Sequence, residues 1–173
     1  MILLSKDNLL QRMQSLDEDA SNLYDDDGRY HVFIAGGGAL ILMDYISRAT
    51  TDIDVIEATK ALYGLFDKYQ MNGRIAAHIN NFLYNYEDRV ELLWEGEKID
   101  FYTVSLEDIV ISKLCANRPP DQDDLKAVAE HVNWDKLNGL VSDEDELRTI
   151  KMSDRQYLDF IYAYQQYVEE YGP

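Results

Sequence analysis

Hydrophobic residues recur along this 173-residue chain with two different periods, and each change of period marks a new element. Over residues 5–16, Leu9, Leu10, Met13 and Leu16 return at helical spacing, so a short amphipathic helix is expected there. The acidic stretch "DEDASNLYDDDGR" that follows ends in a glycine turn signal and reads as a surface connection. From Val32 the chain is continuously apolar, as a buried strand is, until it meets Gly36, Gly37 and Gly38. Ala39, Leu40, Leu42 and Met43 then suit the start of a helix running toward Tyr45. In "TDIDVIEA", Ile53 and Val55 alternate with Asp52 and Asp54, the period-two signature of a strand with one buried face. Leu62, Leu65, Phe66 and Tyr69 return to the helical period, and Asn72-Gly73 is expected to end that helix.

The segment "RVELLWEGEKIDFYTVS" predicts two strands around a tight turn at Glu95, Gly96 and Glu97, with Ile99 and Phe101 on one face and Asp100 and Tyr102 on the other. Ser105, followed three residues later by Asp108, is a capping box at the head of the helix "LEDIVISKLCAN". Arg118-Pro119-Pro120 breaks that helix, and Asp121 is expected to cap the next one. Ser142 and Ser153 likewise precede helices, the last with Tyr157, Phe160, Ile161, Tyr164, Val168 and Tyr171 as a core or helix–helix stripe. The expected architecture is α/β over residues 1–104, followed by a helical part over residues 105–173 packed on it as one compact unit.

Composition narrows the class. A hydrophobic fraction of 46% with 12% aromatics excludes global disorder. No run approaches the roughly 18 apolar residues of a spanning helix, so no membrane is expected as partner. The N-terminal "MILLSKDNLLQRMQ" lacks the basic region and small-residue cleavage site of an export signal. Cys115 is the single cysteine, which excludes an intramolecular disulfide and a thiolate zinc site; a cytoplasmic location is expected. His31, His78 and His131 show no ligand spacing. The net charge of −17 repels phosphate backbones and attracts metal ions and basic proteins.

Two features look costly. In an extended strand, side chains at i and i+2 project from one face roughly 6–7 Å apart. Ionised Asp52 and Asp54 therefore repel each other unless a positive group lies between them, or unless both are simply solvated. Mg²⁺ or Mn²⁺ is a natural neutraliser, since Mg²⁺ takes one or two carboxylates plus substrate phosphates. The glycine bend is either a tight turn or a place where bare backbone N–H groups meet a phosphate.

Gly36-Gly37-x-Ala39-Leu40, then Arg48, Thr50 or Thr51, and Asp52-Ile53-Asp54 resemble the nucleotidyltransferase superfamily. More narrowly, they are similar to its bacterial branch containing the AbiEii-type toxins and the DUF6036 proteins, a resemblance spanning about residues 30–130. The resemblance implies a nucleotidyltransferase-like mixed sheet flanked by helices, and a third acid on a later strand. Asp100 in "EKIDFY" is the best match for that acid and Glu91 its rival. It also implies a helix lysine, matched by Lys113, before an acid-rich segment matched by Arg118, Asp121 and Asp124; Pro120 and Gln122 depart from the branch pattern. By the same resemblance Asp52, Asp54 and Asp100 hold the metal, while Gly36, Gly37, Arg48, Thr51 and Lys113 meet a nucleoside triphosphate. The implied reaction moves a nucleoside monophosphate to a hydroxyl of a protein, a small molecule or an RNA end, in a toxin–antitoxin or defence setting. The alternative is a noncatalytic module of the same fold acting as the acidic partner of a basic protein.

Overall fold

The computed structural model describes residues 2–74, 81–150 and 153–173, and the chain divides into two compact units. One comprises residues 1–77 and 90–104, the other residues 78–89 and 105–173.

The first unit opens with helix α1 (Lys6–Leu23), whose N-terminus is closed by Ser5 and Asn8 in a reciprocal cap. The helix runs well past the expected residue 16, and Asp17 explains why. Its side chain is 3% exposed, and its carboxylate accepts from the backbone N–H groups of Glu97, Lys98 and Ile99 at 2.8, 2.9 and 2.9 Å. The acidic stretch thus has an inward anchor, and the helix that carries it persists.

Strand β1 (Tyr30–Ala35) leads directly into the short helix α2 (Gly36–Leu42), which starts on the glycines rather than at Ala39. Strand β2 (Ile53–Ala58) follows, then a 3₁₀ helix (Lys60–Tyr69), strand β3 (Met71–Asn72) and the hairpin of β4 (Glu91–Glu95) and β5 (Ile99–Thr103). The sheet order is β3-β2-β1-β5-β4, with β1 central, antiparallel to β2 and parallel to β5. The helix expected after residue 60 is therefore a tighter one that stops at Gln70 in the left-handed region, and Asn72 belongs to a strand instead of ending the helix.

Val32, Ile34, Ile53, Val55, Ile99 and Phe101 are fully buried on one side of the sheet, and Leu9, Met13, Leu16 and Leu40 are fully buried on α1 and α2. Each such side chain contributes about 1.5–3 kcal/mol by leaving water. His31, Phe33, Asp54, Asp100 and Tyr102 alternate with them and stay half-exposed, with Phe33 and Tyr102 meeting edge to face at 5.4 Å. His31, Asp54, Glu57 and Asp100 make that side of the sheet the polar one.

The second unit is helical: α3 (Leu106–Ala116), α4 (Pro119–Val128), α5 (Trp134–Ser142), α6 (Glu144–Leu147) and α7 (Asp154–Tyr171), with 3₁₀ turns at Tyr86–Arg89 and Ala129–His131. Ser105 caps α3 and Ser153 caps α7, each accepting from the backbone N–H three residues on. Ser142 instead ends α5, and Asp143 caps α6. Asp121 sits inside the first turn of α4, where its carboxylate accepts from the Arg118 N–H. The Asp108 carboxylate receives a two-pronged bond from Arg89 at 2.8 and 2.8 Å. Of the expected α7 stripe Phe160 is buried and the others are half-exposed; Tyr167, outside that stripe, is buried too, and its hydroxyl donates to Leu125 O. Among the described residues no helix is long and apolar enough to cross a membrane.

Candidate active site

The bend between β1 and α2 is bare because two side chains crowd it. A Cβ built on Gly36 would lie 2.5 Å from Asp54 Oδ2, and one on Gly37 would lie 2.5 Å from Arg48 Nη2. On Gly38 it would stand 3.7 Å from Asp52 O and 3.8 Å from Ile53 Cα, ordinary contact. Gly36 also has φ +64°, a conformation that side chains resist. The register agrees, since Ala35 of β1 is paired with Asp54 of β2. The first two glycines thus receive a carboxylate and a guanidinium at a distance that any side chain would prevent.

Asp52 occupies the bend just before β2 and Asp54 is the second residue of that strand; both are half-buried. Arg48 is exposed and donates from Nη1 to Ala49 O at 3.1 Å. Thr51 is exposed, and its carbonyl accepts from Gln70 Nε2 at 3.1 Å. Thr50 pairs with Leu4 through two backbone hydrogen bonds of 2.7 and 3.0 Å. Asn72 is paired with Asp54 across β3 and β2, so it stands on the aspartate's side of the sheet. Gln70 and Asn72 are the neighbours that the sequence pattern hid, because "KYQMNG" reads as a helix running into a stop signal.

Two residues assigned from the resemblance, Asp100 and Lys113, have close partners of their own. Asp100 does not reach the pair. It lies opposite His31 on β1, whereas Asp54 lies opposite Ala35, four residues and therefore roughly 13 Å further along the strand direction, and on the other flank of β1. Its carboxylate is held by Arg29, whose Nη2 lies 2.6 Å from Oδ1 and Nε 3.1 Å from Oδ2; the fork raises the guanidinium's pKa. Beyond β5, at the level of the bend, stands fully buried Val104, which donates to Ile34 O. The rival Glu91 is at the correct end, opposite Thr103, but the register gives it the Ile34 side of the sheet, not the Ala35 side occupied by Asp54.

Lys113 is the second of these. It is 7% exposed, with Nζ 3.1 Å from Asp121 Oδ1 and 2.9 Å from Asp124 Oδ2. Burial raises the Asp121 pKa, but Arg118 and Lys113 outweigh it and hold the carboxyl below its ordinary value. A lysine committed to two carboxylates joins α3 to α4 and has little left to offer a phosphate. The arginine, proline and aspartate segment that departs from the branch pattern belongs to this internal network.

The remaining polar candidates are accounted for nearby. His31 Nε2 is 3.8 Å from Glu57 Oε2 and its Nδ1 is 3.2 Å from Thr59 Oγ1, while His78 lies outside the described residues. Burial pushes the Cys115 thiol up to about 12, which removes it as a nucleophile near neutral pH. Among the described residues no group of three or more His, Cys, Asp or Glu is placed to hold a metal ion. Asp52 and Asp54 offer hard oxygen donors beside a bend free of side chains, a set that suits Mg²⁺ arriving with phosphates better than an ion caged by protein alone.

A mixed sheet flanked by helices, with a glycine bend pressed on an aspartate of the neighbouring strand, makes this an α/β protein with the arrangement that the resemblance to nucleotidyltransferases implies. The chain matches the DUF6036 family, described as a nucleotidyltransferase of unknown function, over residues 11–172, and it belongs to that family. No curated protein and no solved structure matches it at a significant level.

Proposed function

We propose that the chain is a metal-dependent nucleotidyltransferase that moves a nucleoside monophosphate from a nucleoside triphosphate to a hydroxyl acceptor. The observation carrying this is the stacking of Gly36 on the Asp54 carboxylate and of Gly37 on the Arg48 guanidinium, which puts an acid, a cation and bare backbone at one place. Asp52 and Asp54 would hold Mg²⁺ or Mn²⁺, which when bound neutralises phosphate charge and stabilises the attacking and leaving oxygens. Gly36 and Gly37 let the phosphates approach the backbone, and Arg48 pairs with a phosphate oxygen. The acceptor oxygen bonds to the α-phosphorus, the bond to the bridging oxygen breaks, and pyrophosphate leaves. The acceptor's proton passes to solvent.

A net charge of −17 favours a protein or small-molecule acceptor over an unaided RNA end. A toxin–antitoxin or defence setting accords with the resemblance, and a small helical or DNA-binding protein encoded next door would support it. The placement of Asp100 favours one second reading, a nucleotidyltransferase-fold module that binds a basic protein without transferring anything.

Thermal melts with MgATP, MgCTP, MgGTP and MgUTP separate the two. For an active site, at least one nucleotide at a hundred times its Kd stabilises by about 2.7 kcal/mol, or roughly 5–11 °C, and Asp54→Asn loses the shift. Absence of a shift with all four overturns the enzyme and leaves the binding module.

A further inference from the structure

Asp52 hangs between two peptide units, and both are tied to one residue. The Thr51 carbonyl accepts from Gln70 Nε2 at 3.1 Å, and the Ile53 N–H donates to Gln70 O at 2.9 Å. The same Nε2 also donates to Ile2 O at 3.2 Å, which ties the segment preceding α1 to the bend. On its other side, Gln70 Oε1 accepts from Arg12 Nη2 at 3.0 Å, so the amide orientation is set by two carbonyls and one guanidinium. Gln70 does this with φ +57°, a left-handed conformation that Gly or Asn adopts with less strain. Strained non-glycine residues persist where surrounding contacts over-determine them.

Given the metal–nucleotide role proposed for Asp52 and Asp54, on which this rests, we infer that Gln70 is the positioning residue of the aspartate pair, fixing the peptides on either side of Asp52. The next residue carries the effect further, because Met71 pairs with Ile53 and Asn72 with Asp54. A short run from Gln70 to Asn72 therefore sets the spacing of both carboxylates. A glutamate in place of Gln70 keeps an acceptor for Arg12 but sets a carboxylate oxygen against the Thr51 and Ile2 carbonyls. The bend then turns away, and the two aspartates no longer match one ion.

The test uses the whole chain and Mn²⁺ with tripolyphosphate, a probe without base or ribose, with free Mn²⁺ read by electron paramagnetic resonance. Partners that orient metal ligands typically cost 10–100-fold in affinity when replaced, so Gln70→Glu is expected to weaken Mn²⁺–tripolyphosphate binding at least about tenfold. Arg12→Ala, which leaves the Thr51 tie in place, is expected to stay within about twofold of wild type. If Gln70→Glu does not fold, Gln70→Met, of similar length and without a donor, is expected to show the same loss. Wild-type binding in a folded Gln70 variant, alongside loss of binding in Asp54→Asn, overturns the positioning role alone. Wild-type binding by Asp54→Asn, or none by the wild type, overturns the proposed site and this role with it.

Discussion

Of three adjacent glycines two are pressed on side chains and the third is not, so substitutions among them separate structural from chemical need. Gly36→Ala asks a side chain to adopt φ +64° and to occupy space 2.5 Å from Asp54 Oδ2, so the carboxylate must swing away. The left-handed conformation alone costs roughly 1–2 kcal/mol. Loss of the nucleotide-induced melting shift is expected to accompany that destabilisation. Gly38→Ala meets nothing closer than 3.7 Å and lies inside α2, where alanine is favoured over glycine by about 0.5–1 kcal/mol. Its melting temperature is expected to hold or rise, with the nucleotide shift intact. Equal behaviour of the two variants would mean that the contact between Gly36 and Asp54 has no bearing on binding. Both glycines and the Asp52–Asp54 pair were legible in the sequence, because bare backbone beside paired acids is unusual whatever the fold. Gln70 was not, since hydrogen bonds to main-chain carbonyls far away in sequence leave no periodic trace.

Elements differ in how they are held, and α1 is held by one buried acid. Asp17 accepts three backbone N–H groups from the turn between β4 and β5, and a Cβ on Gly96 would come within 2.5–2.7 Å of its carboxylate atoms. Asp17→Ala leaves these donors without their acceptor at about 1–3 kcal/mol for each one that water does not reach, so a loss of about 3 kcal/mol is expected. Gly96→Ala destabilises through the clash, but that clash needs the aspartate. In a double-mutant cycle followed by urea unfolding, Gly96→Ala is expected to cost clearly less in the Asp17→Ala background. Strict additivity would separate the turn from the helix. The same contact explains where the sequence reading of elements stopped short. The large apolar residues of the α1 stripe end at Leu16, so periodicity closed the helix there, whereas buried Asp17 and Ala20 continue its inward face and the helix runs to Leu23. Conversely, the period-two patterns of β2 and β5 and the caps at Ser105 and Ser153 are local, and they read correctly. The level of Asp100 along the sheet was illegible for a related reason. Alternation gave its face correctly, but the level of a residue along a sheet is set by strand register, which a single strand does not encode.

At the scale of the whole chain, opposing charge effects decide how stability varies with pH. The net charge of −17 at pH 7 places the folded chain under self-repulsion, which fades as pH falls toward the pI near 4.3. Against this stand carboxyls whose folded forms favour ionisation. Asp19 is held below its ordinary value mainly by the Tyr69 hydroxyl, Asp26 mainly by the Lys98 ammonium, and Asp121 by Arg118 and Lys113 against the opposing effect of burial. A depressed folded pKa stabilises above the unfolded value, near 3.8 for these groups, and that contribution is lost as pH falls through the folded values below it. Between pH 7 and about 5 only the repulsion changes substantially, so the melting temperature is expected to rise on mild acidification and to drop below about pH 4. Salt offers an independent check, because a Debye length near 8 Å at physiological ionic strength shrinks to about 3 Å at molar salt. Sodium chloride is expected to raise the melting temperature at pH 7 and to do so less at pH 5, where the net negative charge is smaller. A melting temperature that falls steadily from pH 7 to 5, or that salt lowers at pH 7, would show that attractive pairs such as Arg29 with Asp100 and Arg89 with Asp108 outweigh the net field. In that case the acidic surface is compensated locally, and the attraction it exerts on a basic partner or a metal cation is correspondingly short in range.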